Sequence, residues 1–196
     1  MIEKMAIRIS DYWVRRNVIE PEKKEVLVYG LDILLSSFII TCCVAAISIV
    51  MGNIFYIIFY YLCFMPLRGY CGGYHAKTHW GCCLMQCVSF VCTVALGNLL
   101  IDYGLYFIIP VFACMFIAVA KLAPVDHPDN PIEKAKKKKL KRMGIITLTA
   151  IFNAVIVLNI VGQPIYANIM MVATGVAVIS MLAAHCLMPV SRDIMT

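Results

Sequence analysis

The composition of this chain excludes an ordinary soluble globular fold. It has 196 residues, of which 62% are hydrophobic and 14% are charged, and its formal net charge is +6. Soluble domains contain roughly 45–50% apolar and about 25% charged residues, so lipid is the solvent for much of this chain. A disordered tail, a collagen-like array and a small disulfide-stapled secreted domain are excluded as well. We expect a single membrane-embedded domain over residues 1–196.

The N-terminal region, residues 1–30, carries charges of both signs and lacks the apolar core of a secretory signal peptide. Apolar side chains recur at helical spacing within its first half: Ile2, Met5, Ala6, Ile9 and Trp13. This spacing predicts an amphipathic helix. One interpretation places that helix at the membrane interface with Trp13 as its anchor. The other packs it against the transmembrane bundle, and the sequence leaves both open.

Six apolar runs follow, at roughly 31–51, 53–67, 82–101, 103–121, 144–162 and 165–189. A helical membrane span needs about 20 residues. Five runs reach this length, whereas the second is short and predicts a tilted or re-entrant helix. The fold class is therefore predicted to be all-α, a polytopic integral membrane protein with about six transmembrane helices.

The distribution of positive charge predicts the orientation in the membrane. The chain has 17 Lys and Arg residues, and the short turns at 52–53, 102–104 and 162–164 contain none of them. The positive-inside rule then places both termini, the loop 68–83 and the basic loop 121–143 in the cytoplasm, with the three turns outside. A bacterial plasma membrane is the expected location. Cysteines of the loop 68–83 face the reducing side, where free thiols are expected.

The loop 68–83 holds the residues best suited to chemistry, since it contains two histidines and three cysteines. A thiol has a pKa near 8.5, and an adjacent imidazolium lowers it and generates a nucleophile. His75 and Cys82 are seven residues apart, which on one continuous helix separates them by about 10 Å. A His75–Cys82 pair thus requires a break in the helix. His79 meets Cys82 or Cys83 on an unbroken helix.

Two other interpretations of this loop remain open. Cys71, His75, His79 and Cys82 step by four, four and three residues, and zinc accepts two cysteines and two histidines. A metal-dependent membrane enzyme is therefore an alternative, although Gly72-Gly73 is a poor helix interior. The same residues could also merely cap and pack a turn. A small transporter or exporter is a further alternative, but the sequence shows neither an internal repeat nor an acidic residue deep in a span.

The loop also resembles a known family signature. An Arg at 68, the segment Gly73-Tyr74-His75-Ala76 and a Cys seven residues after the His resemble the accessory gene regulator protein B (AgrB) family, membrane endopeptidases of Gram-positive quorum sensing. Ala123-Pro124, followed by Pro131-Ile132 and a Lys-rich run, is similar to the family too. The resemblance extends over essentially the whole chain. It implies that Cys82 and His75 are catalytic, with His79 and Cys83 as auxiliary candidates where the chain departs from the family pattern.

The resemblance also implies a reaction and its partners. The substrate would be a propeptide of the AgrD type with an amphipathic leader, a signal core and an acidic C-terminal tail. Cys82 would cleave the bond between core and tail and hold the core as a thioester. A Cys or Ser of the core would then close a thiolactone or lactone ring, which is the autoinducing peptide. No metal or cofactor is called for, and the family leans toward a homodimer in the lipid bilayer.

Further polar residues have two interpretations each. Gln86, one turn after Cys82, could donate to an oxyanion or form a helix–helix hydrogen bond. Residues 134–142 carry seven positive charges in nine positions. The run serves as an anchor on anionic lipid, and Lys136, Lys137, Lys138 and Lys139, together with Arg68, are candidates for binding the acidic tail of a substrate. Nucleic-acid binding is not expected, since the run lacks interleaved aromatics.

Overall fold

The computed structural model describes residues 2–16, 18–73, 78–101, 104–125 and 134–187. Within these ranges the chain is helical and contains no strand, which confirms the all-α prediction. A short 3-10 helix, Pro21–Lys23, precedes the second helix. The α-helices are α1 (Ile2–Arg15), α2 (Lys24–Val50), α3 (Phe55–Cys71), α4 (His79–Leu99), α5 (Gly104–Leu122), α6 (Lys134–Ile160) and α7 (Pro164–Leu187).

Each of the six predicted apolar runs corresponds to one helix, α2 to α7. Four described segments are long and apolar enough to cross a membrane: Lys24–Val50, Trp80–Leu99, Lys136–Ile160 and Pro164–Cys186. The apolar part of α5, Tyr106–Leu122, is shorter, and α3 has only 17 residues. The structure therefore supports several apolar helices compatible with a membrane protein, four of them of spanning length.

Two of the predicted turns show why the helices end where they do. Gly52 and Gly162 adopt positive φ angles of 88° and 78°, a conformation that glycine accepts without the steric cost of a Cβ. Pro164 then begins α7, at the helix position where its missing N–H costs nothing. The helix boundaries at both turns thus follow from local backbone chemistry.

The helices divide into two compact units, of which the first is Met1–Ile47. In this unit Lys24 Nζ lies 2.7 Å from Asp11 Oδ1, and the ammonium holds the pKa of the Asp11 carboxyl below its usual value. Along α1 the buried residues are Ala6 and Ser10, which are four positions apart on one face. Trp13, expected on the apolar stripe, is partly exposed.

The second unit, Ser48–Thr196, is built around α7. This helix contacts α3, α4, α5 and α6, and it is the most deeply buried of the candidate spans. Small side chains occupy much of its buried surface, among them Ala167, Ala173, Thr174, Ala177 and Ala184. Small residues let helix backbones approach closely, which is the main way to gain packing energy between helices in lipid.

The contact between α4 and α7 is an example of such packing in which backbone approaches backbone. A Cβ placed on Gly97 of α4 would lie 3.1 Å from Ile169 Cγ1 and 3.3 Å from the Ile169 backbone nitrogen. The neighbouring Asn168 donates its Nδ2 hydrogen to the Gly97 carbonyl at 3.2 Å. The absence of a side chain at Gly97 therefore fixes the distance between the two helices.

We predict that Gly97→Val destabilises the protein by about 1–3 kcal/mol, the usual cost of overpacking a core. The added side chain must displace α7 backbone as well as the end of Ile169. Thermal unfolding of the detergent-solubilised protein measures the effect. Gly30→Val is the matched control, since a Cβ at Gly30 meets nothing within 4 Å. Equal melting temperatures for the two variants would contradict the prediction.

Candidate active site

The candidate site begins where α3 ends. Residues 68–83 were expected to form a loop, but α3 extends to Cys71 and α4 begins at His79, so both ends of this segment are helical. The N–H of Gly72 donates to the Arg68 carbonyl at 3.0 Å and closes the last turn of the helix. Gly72 has a φ of 79°, and a Cβ there would lie 3.1 Å from the Val125 carbonyl oxygen. Only glycine satisfies both conditions without strain. The helix therefore stops at Cys71, and a single helix carrying Cys71 and Cys82 on one face is excluded.

The next helix, α4, starts from a well-formed cap. Thr78 is extended, with φ −129° and ψ 146°, and its side-chain oxygen accepts a hydrogen bond from the Gly81 N–H at 3.1 Å. The Cys82 N–H donates to the Thr78 carbonyl at 3.0 Å, so Cys82 lies one turn into α4. The N-terminal end of a helix favours negative charge. This position is suited to a thiolate.

The side chains of the two candidate bases lie outside the described part of the chain. His75 lies in residues 74–77, outside the described part of the chain, and the side chain of His79 is not described either. The backbone between His75 and Cys82 contains the extended Thr78 and the start of α4 at His79. The break that a His75–Cys82 pair requires is therefore present in the chain.

Cys82 lines a small cavity of about 40 Å³. Three of the predicted site residues, Arg68, Cys82 and Gln86, meet at its wall, although they come from two different helices. The remaining lining residues are Phe64, Met85, Ser89, Val176 and Ser180. On the same measure, a cavity of about 10–15 Å³ is enough to hold one water molecule. The cavity therefore has room for small groups such as an oxygen atom or a water molecule.

Arg68 reaches this cavity from the last turn of α3. Its guanidinium carbon lies 5.5 Å from the centre of the Phe64 ring, a cation–π contact. A Cβ on Gly73 would lie 2.9 Å from Ser180 Oγ and 3.3 Å from Arg68 Cγ. The backbone at Gly73, two residues before His75, therefore lies directly against Arg68 and Ser180.

Gln86 is held by a closed set of hydrogen bonds behind the cavity. Its Nε2 donates to the Tyr60 hydroxyl at 3.1 Å, and that hydroxyl lies 2.7 Å from Ser89 Oγ. Ser89 Oγ in turn donates to the Gln86 backbone carbonyl at 2.9 Å. Gln86 thus forms the helix–helix hydrogen bond that one interpretation predicted, and it also lines the cavity beside Cys82.

Sequence reasoning missed Tyr60, Ser89 and Ser180. Tyrosine and serine are common in apolar helices, and nothing in the spacing of these three residues relates them to the loop 68–83. Each comes from a different helix, α3, α4 or α7. Ser89 and Ser180 line the cavity, and Tyr60 is hydrogen-bonded to Ser89 and Gln86. No local sequence signal could have selected them.

Other predicted residues lie apart from the cavity wall. Cys83 is half-buried and follows Cys82, but it is not among the lining residues. Cys71 is buried, and a Cβ on Gly144 would lie only 2.9 Å from its sulfur. Among the described residues no group of three His, Cys, Asp or Glu side chains is arranged to hold a metal ion.

The lysine run has a different local structure from the one expected. Residues 121–143 were expected to form a basic loop, but α6 already begins at Lys134, so the run occupies the first turns of a helix that continues into a candidate span. Lysine has a favourable helix propensity, and the helix continues through the apolar residues that follow. Lys136, Lys138 and Lys139 are exposed, and Lys137 is half-buried.

Comparison with known proteins gives consistent matches over most of the chain. The family model described as accessory gene regulator B matches residues 3–184. AgrB-like protein 2 of Clostridium perfringens is 25% identical over 167 residues, covering 82% of this chain and 78% of that protein. Accessory gene regulator protein B of Staphylococcus intermedius is 29% identical over 147 residues, covering 74% of each. No solved structure matches the chain.

Proposed function

This chain belongs to the accessory gene regulator B family, and we propose that it is a membrane thiol endopeptidase that cleaves and cyclises a propeptide of the AgrD type. Membership of this family supports a role in the agr quorum-sensing system. The observation that carries the proposal is the position of Cys82. This thiol lies at the N-terminal end of α4 and lines a cavity together with Arg68 and Gln86.

The proposed reaction proceeds in two acyl transfers. His75 takes the Cys82 proton, and the thiolate attacks the carbonyl between core and tail, forming a C–S bond. The C–N bond breaks, His75 protonates the leaving amine, and the tail departs. A thiol or hydroxyl of the core then attacks the thioester and releases Cys82, giving a thiolactone or lactone. His79 and Cys83 are auxiliary candidates for the base and the nucleophile.

The tetrahedral intermediates of both steps carry negative charge on the former carbonyl oxygen. The cavity beside Cys82 has room for such an oxygen, and Arg68 and Gln86 contribute a positive charge and an amide to its wall. Preorganised donors of this kind stabilise a developing oxyanion strongly in a site that excludes water. Exclusion of water also protects the thioester from hydrolysis, which would give a linear product.

The proposal includes an arrangement in the bacterial plasma membrane. Six crossings by α2 to α7, with α3 tilted or re-entrant because of its 17 residues, place both termini and Cys82 on the cytoplasmic side. α1 would then lie at the inner interface, and two copies of the chain would form a homodimer. The support for this orientation is the absence of Lys and Arg from the three short turns.

The exposed lysines at the start of α6 are proposed to have two roles on that same side. They bind anionic lipid at about 1 kcal/mol per residue near the surface. They also attract the acidic tail of the propeptide toward the site, since opposite charges raise the rate of encounter.

The first prediction concerns the pairing of His75 with Cys82. In native membranes, the rate at which iodoacetamide labels Cys82 at pH 6–7 should fall at least tenfold in His75→Ala, because the imidazolium no longer stabilises the thiolate. Mass spectrometry of the labelled peptide measures this rate. His79→Ala is the matched control and should leave it unchanged. A decrease in His79→Ala alone would transfer the role of base to His79.

The second prediction concerns the orientation. A charged, membrane-impermeant maleimide should label Cys82 in inside-out vesicles and not in sealed right-side-out vesicles. Asn53→Cys, in one of the short turns, should show the opposite pattern. Labelling of both positions from the same side would contradict the proposed topology.

The third prediction concerns the lysines. Replacing Lys136, Lys137, Lys138 and Lys139 by Gln should lower the rate of propeptide cleavage at low ionic strength and abolish its dependence on salt. Insertion into the membrane should remain intact, because Lys134, Lys141 and Arg142 stay in place. Cleavage kinetics equal to those of the unmodified chain at every salt concentration would rule out the attraction of the tail.

A further inference from the structure

We propose that Tyr60 and Ser89 are positioning residues that fix the side-chain amide of Gln86, so that one of its N–H groups is presented to the oxyanion formed at Cys82. This inference rests on the proposed function and adds two residues that act through Gln86. Its basis is the number of protons available to the hydrogen bonds among Tyr60, Gln86 and Ser89.

The direction of each hydrogen bond is determined by the one before it. Ser89 has a single hydroxyl proton, which it donates to the Gln86 backbone carbonyl at 2.9 Å. In its 2.7 Å contact with Tyr60, Ser89 Oγ must therefore accept, and Tyr60 must donate. The proton of Tyr60 is then used as well, so its oxygen can only accept from the third partner.

That third partner is Gln86 Nε2, 3.1 Å from the Tyr60 hydroxyl. If the amide were rotated by 180°, its carbonyl oxygen would face an oxygen that has no proton left to donate. Two acceptors facing each other in a buried site are unfavourable, so the amide has one orientation. One N–H of Nε2 is used by Tyr60, and the amide group has a second N–H.

The orientation of the Gln86 amide matters because these hydrogen-bonded residues lie beside Cys82. Gln86 is one turn after Cys82 on α4, and both line the same cavity of about 40 Å³ together with Ser89. Tyr60 is fully buried and is packed between the Phe64 and Phe90 rings, at centroid distances of 5.2 Å each. A hydroxyl held in this way is a rigid support for a donor that must be in place before the charge develops.

The test compares two reactions of the same thiol in the full-length protein reconstituted in liposomes. Acylation of Cys82 by p-nitrophenyl acetate forms a C–S bond and expels p-nitrophenolate through a tetrahedral oxyanion. Alkylation by iodoacetamide displaces iodide at an sp³ carbon and forms no oxyanion. Mass spectrometry of the Cys82 peptide gives the rate of each reaction.

Tyr60→Phe keeps the ring and removes the hydroxyl, and Ser89→Ala removes the acceptor that directs it. Each should slow acylation about tenfold or more, while alkylation stays within about twofold, since an oxyanion donor contributes only to the first reaction. In a Gln86→Met background neither change should slow acylation further. Ser89→Thr, which keeps the hydroxyl, should restore the rate.

Tyr106→Phe is the matched control, because Tyr106 is 95% exposed on α5 and should affect neither reaction. The inference is overturned if Tyr60→Phe leaves acylation unchanged, if it slows both reactions equally, or if its effect adds fully to that of Gln86→Met. Failure of the proposed function has a different signature. In that case Cys82 of the unmodified protein reacts no faster than Cys83 with either reagent.

Discussion

The central position of α7 is the constraint on which the rest of the second unit depends. Four other helices pack against it, and its buried surface is rich in alanine and other small residues. Lipid tails are as apolar as a leucine side chain, so burial of apolar area does not by itself hold helices together in a membrane. Close backbone approach does, and the contact of Gly97 with the Ile169 backbone provides it between α4 and α7.

This arrangement also completes the candidate site. Val176 and Ser180 of α7 contribute to the wall of a cavity whose other residues come from α3 and α4. At the other end of the same interface, the contact between Gly97 and Ile169 sets how closely α4 approaches α7. The size of the cavity beside Cys82 therefore depends on packing between helices far along the chain from the loop 68–83.

The interruption between α3 and α4 determines where Cys82 lies in its helix. The chain closes α3 with Gly72 and opens α4 with Thr78, which give partners to the Arg68 carbonyl and to the Gly81 N–H. Val125 adds a further bond by donating its N–H to the Cys71 carbonyl at 3.0 Å. Satisfied backbone groups are a strict requirement near lipid. The result is that Cys82 lies near a helix N-terminus instead of in the middle of a long span.

The apolar surroundings also restrict the hydrogen bonds of the polar residues behind Cys82. In water, Tyr60, Gln86 and Ser89 would exchange hydrogen bonds freely with solvent. In apolar surroundings few such exchanges are possible, and the donation of the Ser89 proton to the Gln86 carbonyl favours one orientation of the Gln86 amide.

The sequence by itself determined the all-helical class, the positions of six apolar helices and the motif that includes Cys82. These features are local, because they depend on hydropathy, on the turn residues Gly52 and Gly162, and on the spacing of a few side chains. The start of α6 at Lys134 was not anticipated, because a lysine run is equally suited to a loop and to a helix end. Only the tertiary structure decided which polar groups line the cavity with Cys82 and which one supports them from behind. Arg68, Gln86, Tyr60, Ser89 and Ser180 come from three helices, and their contact depends on how small residues allow α3, α4 and α7 to pack, which no local pattern encodes.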